Sequence, residues 1–303
     1  MSHTCPSRRA FLFAASALAA GLRAAAQTAG RSPTRFQIGC LTLPYGAFSF
    51  ERALEGIARS GGRYMGLGTR HQQKPLLEIE ASPAEAARLA DQARASGLTP
   101  LMMFSTVGVE AANSVPAHQR RIEQAAAARI PYLLTFGSTQ PGQYDLWISN
   151  LQQLAPQAHK AGVTLVIKPH GGNTATGRDC ARILADVGSP ALKICYDSGN
   201  VLDYQNADPI ADIQACHRDV YAFTIKDHRN TPKDEDCGPG FGEIDHYKLL
   251  APVAITGRAM PLLCENIFEP VVPRPKTAEE IDALARRARE FLETVTRAIT
   301  TPG

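Results

Sequence analysis

VTLVIKPHGGNTATGRDCARILADVGSPALKICYDSGN, residues 163–200, decides the fold. An apolar, β-branched run at 163–167 gives way to the turn formers Gly171 and Gly172. An amphipathic helical pattern follows at 177–187, and a second apolar run closes the stretch at 192–196. Two short apolar strands separated by one helix form a βαβ unit, and such repetition builds parallel sheet. Working outward, the rhythm continues both ways. Towards the N-terminus strands are expected at 36–41, 64–67, 99–104 and 132–136. Helices are expected at 49–60 with Ser49 as cap, and at 83–96, 117–128 and 144–161. Towards the C-terminus follow a short helix, a strand at 220–225, a helix near 246–250, a strand at 262–265 and a closing amphipathic helix at 278–298. Eight βα units in about 270 residues predict a single closed (β/α)8 barrel over residues 35–298. A doubly wound sheet would need a glycine-rich fingerprint after the first strand and an acid some 20 residues later. Leu41-Thr42-Leu43-Pro44 stands there instead.

The chain has 303 residues, a formal charge of +3, and 44% hydrophobic against 20% charged residues, a composition that excludes disordered and fibrous classes. Residues 1–26 read as an export signal. Ser7-Arg8-Arg9-Ala10-Phe11-Leu12 precedes an alanine-rich apolar run, and Ala24-Ala25-Ala26 has the pattern of a cleavage site, which together mark the twin-arginine route and a periplasmic or exported protein. Cleavage removes Arg8, Arg9 and Arg23, so 32 basic residues fall to 29, equal to the 29 acidic ones. A neutral chain without a basic stripe argues against nucleic acid as a partner. No apolar stretch beyond the signal is long enough to span a bilayer, so no membrane association is expected after cleavage. Cys40, Cys180, Cys195, Cys216, Cys237 and Cys264 remain, with no CxxC pair to suggest a zinc-thiolate site. Cys40, Cys195 and Cys264 sit in apolar runs and read as small buried hydrophobes. No disulfide is assigned.

In a barrel, chemistry gathers at the C-terminal ends of the strands. Strand five ends in Lys168-Pro169-His170, strand six in Asp197-Ser198-Gly199-Asn200, strand seven in Lys226-Asp227-His228 and strand eight in Glu265-Asn266. Alternation puts Lys168 and His170 on one face, and Thr224 and Lys226 on one face. Four strand ends loaded with ionisable groups favour an active site. For Asp197 a helix cap is the competing reading, and for Asp227 and His228 solvated loop positions. His71, in Gly68-Thr69-Arg70-His71, stands at the same rim. Gly238-Pro239-Gly240-Phe241-Gly242-Glu243-Ile244-Asp245 reads as a glycine-rich lid or turn before a helix capped by Asp245.

These motifs, with Phe48-Ser49-Phe50-Glu51-Arg52-Ala53-Leu54, Tyr196-Asp197-Ser198-Gly199-Asn200, Ile225-Lys226-Asp227 and Cys264-Glu265-Asn266, resemble in their order the xylose isomerase-like TIM barrels. That family includes sugar phosphate isomerases/epimerases, hexulose 3-epimerases and type 2 apurinic endonucleases. The resemblance implies one divalent cation (Mn, Mg or Zn) held by a glutamate, an aspartate, a histidine and a glutamate at strands five to eight. Asp197 and Glu265 match as metal ligands. Lys168 replaces the strand-five glutamate, Thr224 the strand-seven histidine, and Asn200 the histidine three residues after the aspartate. An ammonium cannot ligate and would repel a metal. Lys168 between Asp197 and Glu265 would itself stand in for the cation.

The expected function is an exported sugar isomerase or epimerase that abstracts a proton next to a sugar carbonyl. Lys168, Glu265, His170 and Lys226 are its candidate catalytic residues, and His71, Asn200, Asp227 and His228 its candidate substrate-binding ones. The partner is a small-molecule sugar. A keto-sugar or glycoside lyase of the same fold is one alternative, a non-catalytic sugar-binding barrel another and a metal-dependent hydrolase a third; a displaced metal site on His170, Asp197 and Glu265 also stays open.

Overall fold

The computed structural model describes residues 32–301. The export signal expected over residues 1–26 lies outside them. Eight strands are β1 (Arg35–Leu41), β2 (Tyr64–Leu67), β3 (Thr99–Phe104), β4 (Tyr132–Thr135), β5 (Thr164–Ile167), β6 (Leu192–Tyr196), β7 (Val220–Ile225) and β8 (Ala259–Cys264). They pair in parallel and close in the order β1-β8-β7-β6-β5-β4-β3-β2, which is the (β/α)8 barrel that the alternation predicts. Around it run α1 (Phe50–Arg59), α2 (Pro83–Ala95), α3 (Ser114–Ala127), α4 (Tyr144–Lys160), α5 (Gly177–Val187), α6 (Ser198–Gln205), α7 (Pro209–Cys216), α8 (His246–Leu250) and α9 (Ala278–Thr300). No helix among the described residues is long and apolar enough to cross a membrane.

Local chemistry explains the boundaries. Ser49 accepts from the Arg52 amide to start α1, and Ser82 with Glu85, Thr176 with Asp179, and Thr277 with Glu280 form reciprocal capping boxes at α2, α5 and α9. Each cap contributes about 1 kcal/mol by satisfying amides that have no partner inside the helix. The single short helix expected between β6 and β7 is two. Asn206, left-handed at φ 47°, ends α6, and Asp208 caps α7 with Pro209 in its first turn. Strand β8 begins at Ala259, before the expected 262. Pro261 obscures its start, but β8 pairs with β1 from Ala259 and with β7 only from Leu262, so the proline costs hydrogen bonds on one side at most.

The core has two compartments. Leu41, Met102, Phe104, Leu134, Val166, Cys195, Ala222 and Leu263 fill the barrel interior, while Leu54, Ile57, Trp147, Leu151, Ile183, Leu192 and Leu292 belong to the shell between strands and helices. All six described cysteines are buried and unbridged, as small hydrophobes would be. A cavity of about 490 Å³ opens at the N-terminal end of the barrel, lined by Phe36, Arg63, Tyr64, Arg289 and Glu293. It lies at the opposite end from the loaded strand ends, where the parallel strands direct chemistry.

Candidate functional site

Val166 on β5, Cys195 on β6, Ala222 on β7 and Leu263 on β8 belong to the apolar floor inside the barrel. Two residues further along the same chains come Lys168, Asp197, Thr224 and Glu265. Side chains alternate, so these four rise from the floor on the inward face, and the two-residue period alone assembles the site.

Lys168 is its centre. Its Nζ donates to Glu265 Oε1 and Oε2 at 2.8 and 2.6 Å and lies 2.7 Å from Asp197 Oδ2. Thr224 Oγ1 donates to Asp197 Oδ2 at 3.3 Å, and Asp197 Oδ1 accepts the Asn200 amide at 3.0 Å. Asp197 therefore caps α6 and pairs with Lys168 at once. Burial disfavours the Lys168 ammonium, but the charges of Asp197 and Glu265 outweigh it and hold its pKa above the ordinary lysine value. Burial would likewise raise Asp197, yet Lys168 and Lys226 keep it well below the usual carboxylate range. At Glu265 burial prevails and the carboxyl is pushed up, opposed by the same two lysines. Its side chain keeps 17% exposure where Asp197 has none, so Glu265 is the carboxylate with access to a ligand.

Lys226 stands two residues beyond Thr224 and donates from Nζ to Asp236 Oδ2 at 2.6 Å. Its stem lies against Gly199, where a Cβ would fall 2.6 Å from Lys226 Cγ, so the second residue of α6 must be a glycine. His170 is half-buried, with its ring centroid 4.4 Å from that of Phe136 and 5.6 Å from that of Tyr204. Its Nδ1 is 3.3 Å from the Gly137 carbonyl, which can only accept, so Nδ1 carries the proton and Nε2 the lone pair. Burial and Lys168 hold its pKa below that of a free histidine.

The other expected substrate contacts fare differently. Asp227 is buried and anchors a loop. Its carboxylate accepts the amides of His228, Gly240, Gly242 and Ile244 at 2.9 to 3.1 Å. Four backbone donors occupy both oxygens, which commits Asp227 to the fold and makes the glycine-rich segment a pinned turn. Its expected capping role holds, since Asp245 accepts the Tyr247 and Lys248 amides at 3.1 Å. His71 is a brace. Nδ1 donates to the Phe48 carbonyl at 3.0 Å and Nε2 accepts from Thr42 Oγ1 at 2.9 Å, so both ring nitrogens are committed within the protein. Asn200 donates from Nδ2 to the Pro169 carbonyl at 2.7 Å, while its buried Oδ1 has no hydrogen-bond partner. His228 is buried, with Nδ1 3.1 Å from Asp236 Oδ1.

Asp236 joins Lys226 to His228, and sequence reasoning missed it. Only the antiparallel ribbon of Asp227–Arg229 with Glu235–Cys237 folds it back onto the strand-seven lysine. The available signal was the alternating acids in Asp234-Glu235-Asp236 just ahead of the glycine-rich turn.

The inner donor set does not fit a cation. The Lys168 ammonium sits within 2.8 Å of both Asp197 and Glu265, the two carboxylates expected as metal ligands, and supplies positive charge there itself. Among the described residues, the one group of three or more His, Cys, Asp or Glu with mutually close ligand atoms is Asp203, His228 and Asp234. His170, Asp197 and Glu265 form no such group.

A parallel eightfold barrel with its ionisable groups at the C-terminal ends of β5 to β8 defines a class of barrel whose site is built on strand ends. The chain belongs to the xylose isomerase-like TIM barrel family, whose model matches residues 54–292. Among solved structures it is similar to a xylose isomerase-like TIM barrel/4-hydroxyphenylpyruvate dioxygenase fusion protein, with 20% identity and a TM-score of 0.68 over 88% of this chain. It spans only 44% of that fusion's length. It is similar to a xylose isomerase-like TIM barrel protein from Mycobacterium smegmatis in complex with magnesium, with 14% identity and a TM-score of 0.69, covering 90% of this chain and 99% of that one. It is also similar to a D-allulose 3-epimerase from Methylomonas sp. in complex with D-allulose, with 18% identity and a TM-score of 0.65, covering 87% and 98%. No curated protein matches the chain.

Proposed function

We propose that this chain is an exported carbohydrate isomerase or epimerase in which the Lys168 ammonium takes the place of a catalytic cation. The observation that carries the reading is the position of Lys168 Nζ, 2.6 to 2.8 Å from the Glu265 oxygens and 2.7 Å from Asp197 Oδ2, on the inward face of the barrel. Glu265, with its raised pKa and partial exposure, takes the proton next to a sugar carbonyl. The C–H electron pair becomes the C=C bond of an enolate, the carbonyl π pair moves onto oxygen, and the ammonium stabilises the charge there. Delivery of the proton from Glu265 to the former carbonyl carbon, with the neighbouring hydroxyl proton passing to the enolate oxygen, gives isomerisation. Protonation of the carbon that lost its proton, on the opposite face, from His170 after it has taken a proton from solvent, gives epimerisation, and Glu265 then releases its proton to solvent. Expulsion of a leaving group from the same enolate would make the chain a lyase. The strand ends carry no arginine cluster to clamp a phosphate, which favours free keto-sugars over phosphate esters.

One observation favours a second reading, a non-catalytic sugar-binding barrel. The Lys168 side chain is 4% exposed and that of Asp197 0%, so the pair is almost sealed. Incubating the mature protein with a panel of keto-sugars in deuterated water separates the two. A catalyst exchanges the proton next to the carbonyl, observed by NMR, and Glu265→Gln slows the exchange by about 100-fold or more. Absence of exchange with every sugar, together with sugar-induced thermal stabilisation, overturns the enzyme in favour of the binding barrel.

A further inference from the structure

We propose a second-row cation site at the rim of the barrel, in which Asp203, His228 and Asp234 bind a first-row divalent metal of the zinc class. Their ligand atoms all lie within 4.8 Å of one another. They come from separate elements, Asp203 from α6, His228 from one strand of the ribbon and Asp234 from the turn before its partner strand. Proximity of acids alone would mean little, and the histidine supplies the independent observation. His228 is 1% exposed, and its Nε2 is a buried nitrogen without a hydrogen-bond partner. The Asp234 Oδ1 atom lies 3.3 Å from it, outside hydrogen-bonding geometry, at about the spacing of two ligands on one tetrahedral zinc.

The other ring nitrogen sets the tautomer. His228 Nδ1 is 3.1 Å from Asp236 Oδ1, and a carboxylate accepts, so the proton sits on Nδ1 and Nε2 presents its lone pair towards Asp203 and Asp234. A carboxylate behind a histidine whose far nitrogen faces further donors is the support that metal-bound histidines use. Asp236 is fixed in turn by Lys226 at 2.6 Å. Two carboxylates and one imidazole leave a fourth position open, and one neutral nitrogen with two oxygens suits zinc, cobalt or manganese better than calcium or magnesium. The metal would tie α6 to the ribbon beside the Lys226–Asp236 pair, and it is independent of whether Lys168 acts in catalysis.

The test is calorimetric titration of the chelator-treated mature protein with zinc chloride, supported by the visible spectrum of the cobalt(II) form. One equivalent bound per chain is expected. Asp234→Asn, at a 72% exposed side chain where folding is not at stake, is expected to weaken binding at least tenfold and to remove the cobalt bands. Asp203→Asn should do the same, and Glu265→Gln should leave the affinity unchanged. Absence of zinc binding overturns the site, as does binding unaffected by both aspartate changes. Binding lost only in Glu265→Gln also overturns it, because the metal would then belong to the inner carboxylates.

Discussion

Lys168 shows how one residue sets the electrostatics of its surroundings. It neutralises two carboxylates inside a barrel, one of them wholly buried, and removing it leaves their charge uncompensated. Lys168→Met should cost about 3–5 kcal/mol at pH 8, because a charge left behind in the interior is penalised far more than the pair was worth. The pH dependence follows from Glu265. Its folded pKa already lies above the ordinary value through burial, with Lys168 the first influence holding it down, so the substitution raises it further. A folded state that binds the proton more tightly than the unfolded chain, whose glutamate titrates near about 4.3, loses stability as pH rises. The deficit of Lys168→Met relative to the wild type should therefore shrink between pH 8 and pH 5 in urea melts. A deficit independent of pH would show lost packing as the cause.

At the scale of elements, the glycine-rich turn depends on one carboxylate. Asp227 gathers the amides of Gly240, Gly242 and Ile244, and a Cβ at Gly242 would strike its Oδ1 and the His228 carbonyl. Asp227→Asn keeps the shape, offers one acceptor oxygen, and turns an N–H₂ group towards donors. About 2–3 kcal/mol of stability should be lost. Hydrogen exchange should accelerate at residues 238–245 while the amides of β1 to β8 keep their protection. Uniform acceleration through the barrel would mean that the turn is not a separate unit. The composition of 238–245 showed a turn in advance, but its fixity was illegible there. The anchoring carboxylate lies 11 residues upstream of the first glycine and reads locally as a rim residue like its neighbours.

For the whole molecule, acid is the expected weakness. His118 is fully buried, with Nδ1 2.8 Å from the Ser114 carbonyl and Nε2 2.7 Å from Thr135 Oγ1, which joins α3 to β4. Burial holds its pKa below the free value, and His71, the brace at the rim, is lowered for the same reason. Both are neutral in the fold, and unfolding lets them take up protons once pH drops below about 6.5. The unfolded chain then binds more protons, so stability rises with pH across that range and falls on acidification from pH 7 to pH 5. His118→Gln, which keeps a donor and an acceptor, should reduce the slope of unfolding free energy against pH. An unchanged slope would remove His118 from the account.

Alternation of short apolar strands with capped helices was enough to determine the closed barrel, because each βα unit reports its period locally and eight of them leave one way to bury every strand. The same period put Lys168 with His170 and Thr224 with Lys226 on shared faces, since strand geometry carries a side chain's direction without reference to the rest of the chain; the barrel interior then showed which face is inward. Tertiary structure alone decided what these groups do to one another: that Lys168 reaches both carboxylates, that Asp227 serves the backbone of a distant turn, that both nitrogens of His71 are already bonded, and that His228 turns one nitrogen to Asp236 and the other towards two further acids. Hydrogen bonds and ion pairs act over about 3 Å, and which partners come within that reach depends on loops and ribbons that no local periodicity encodes.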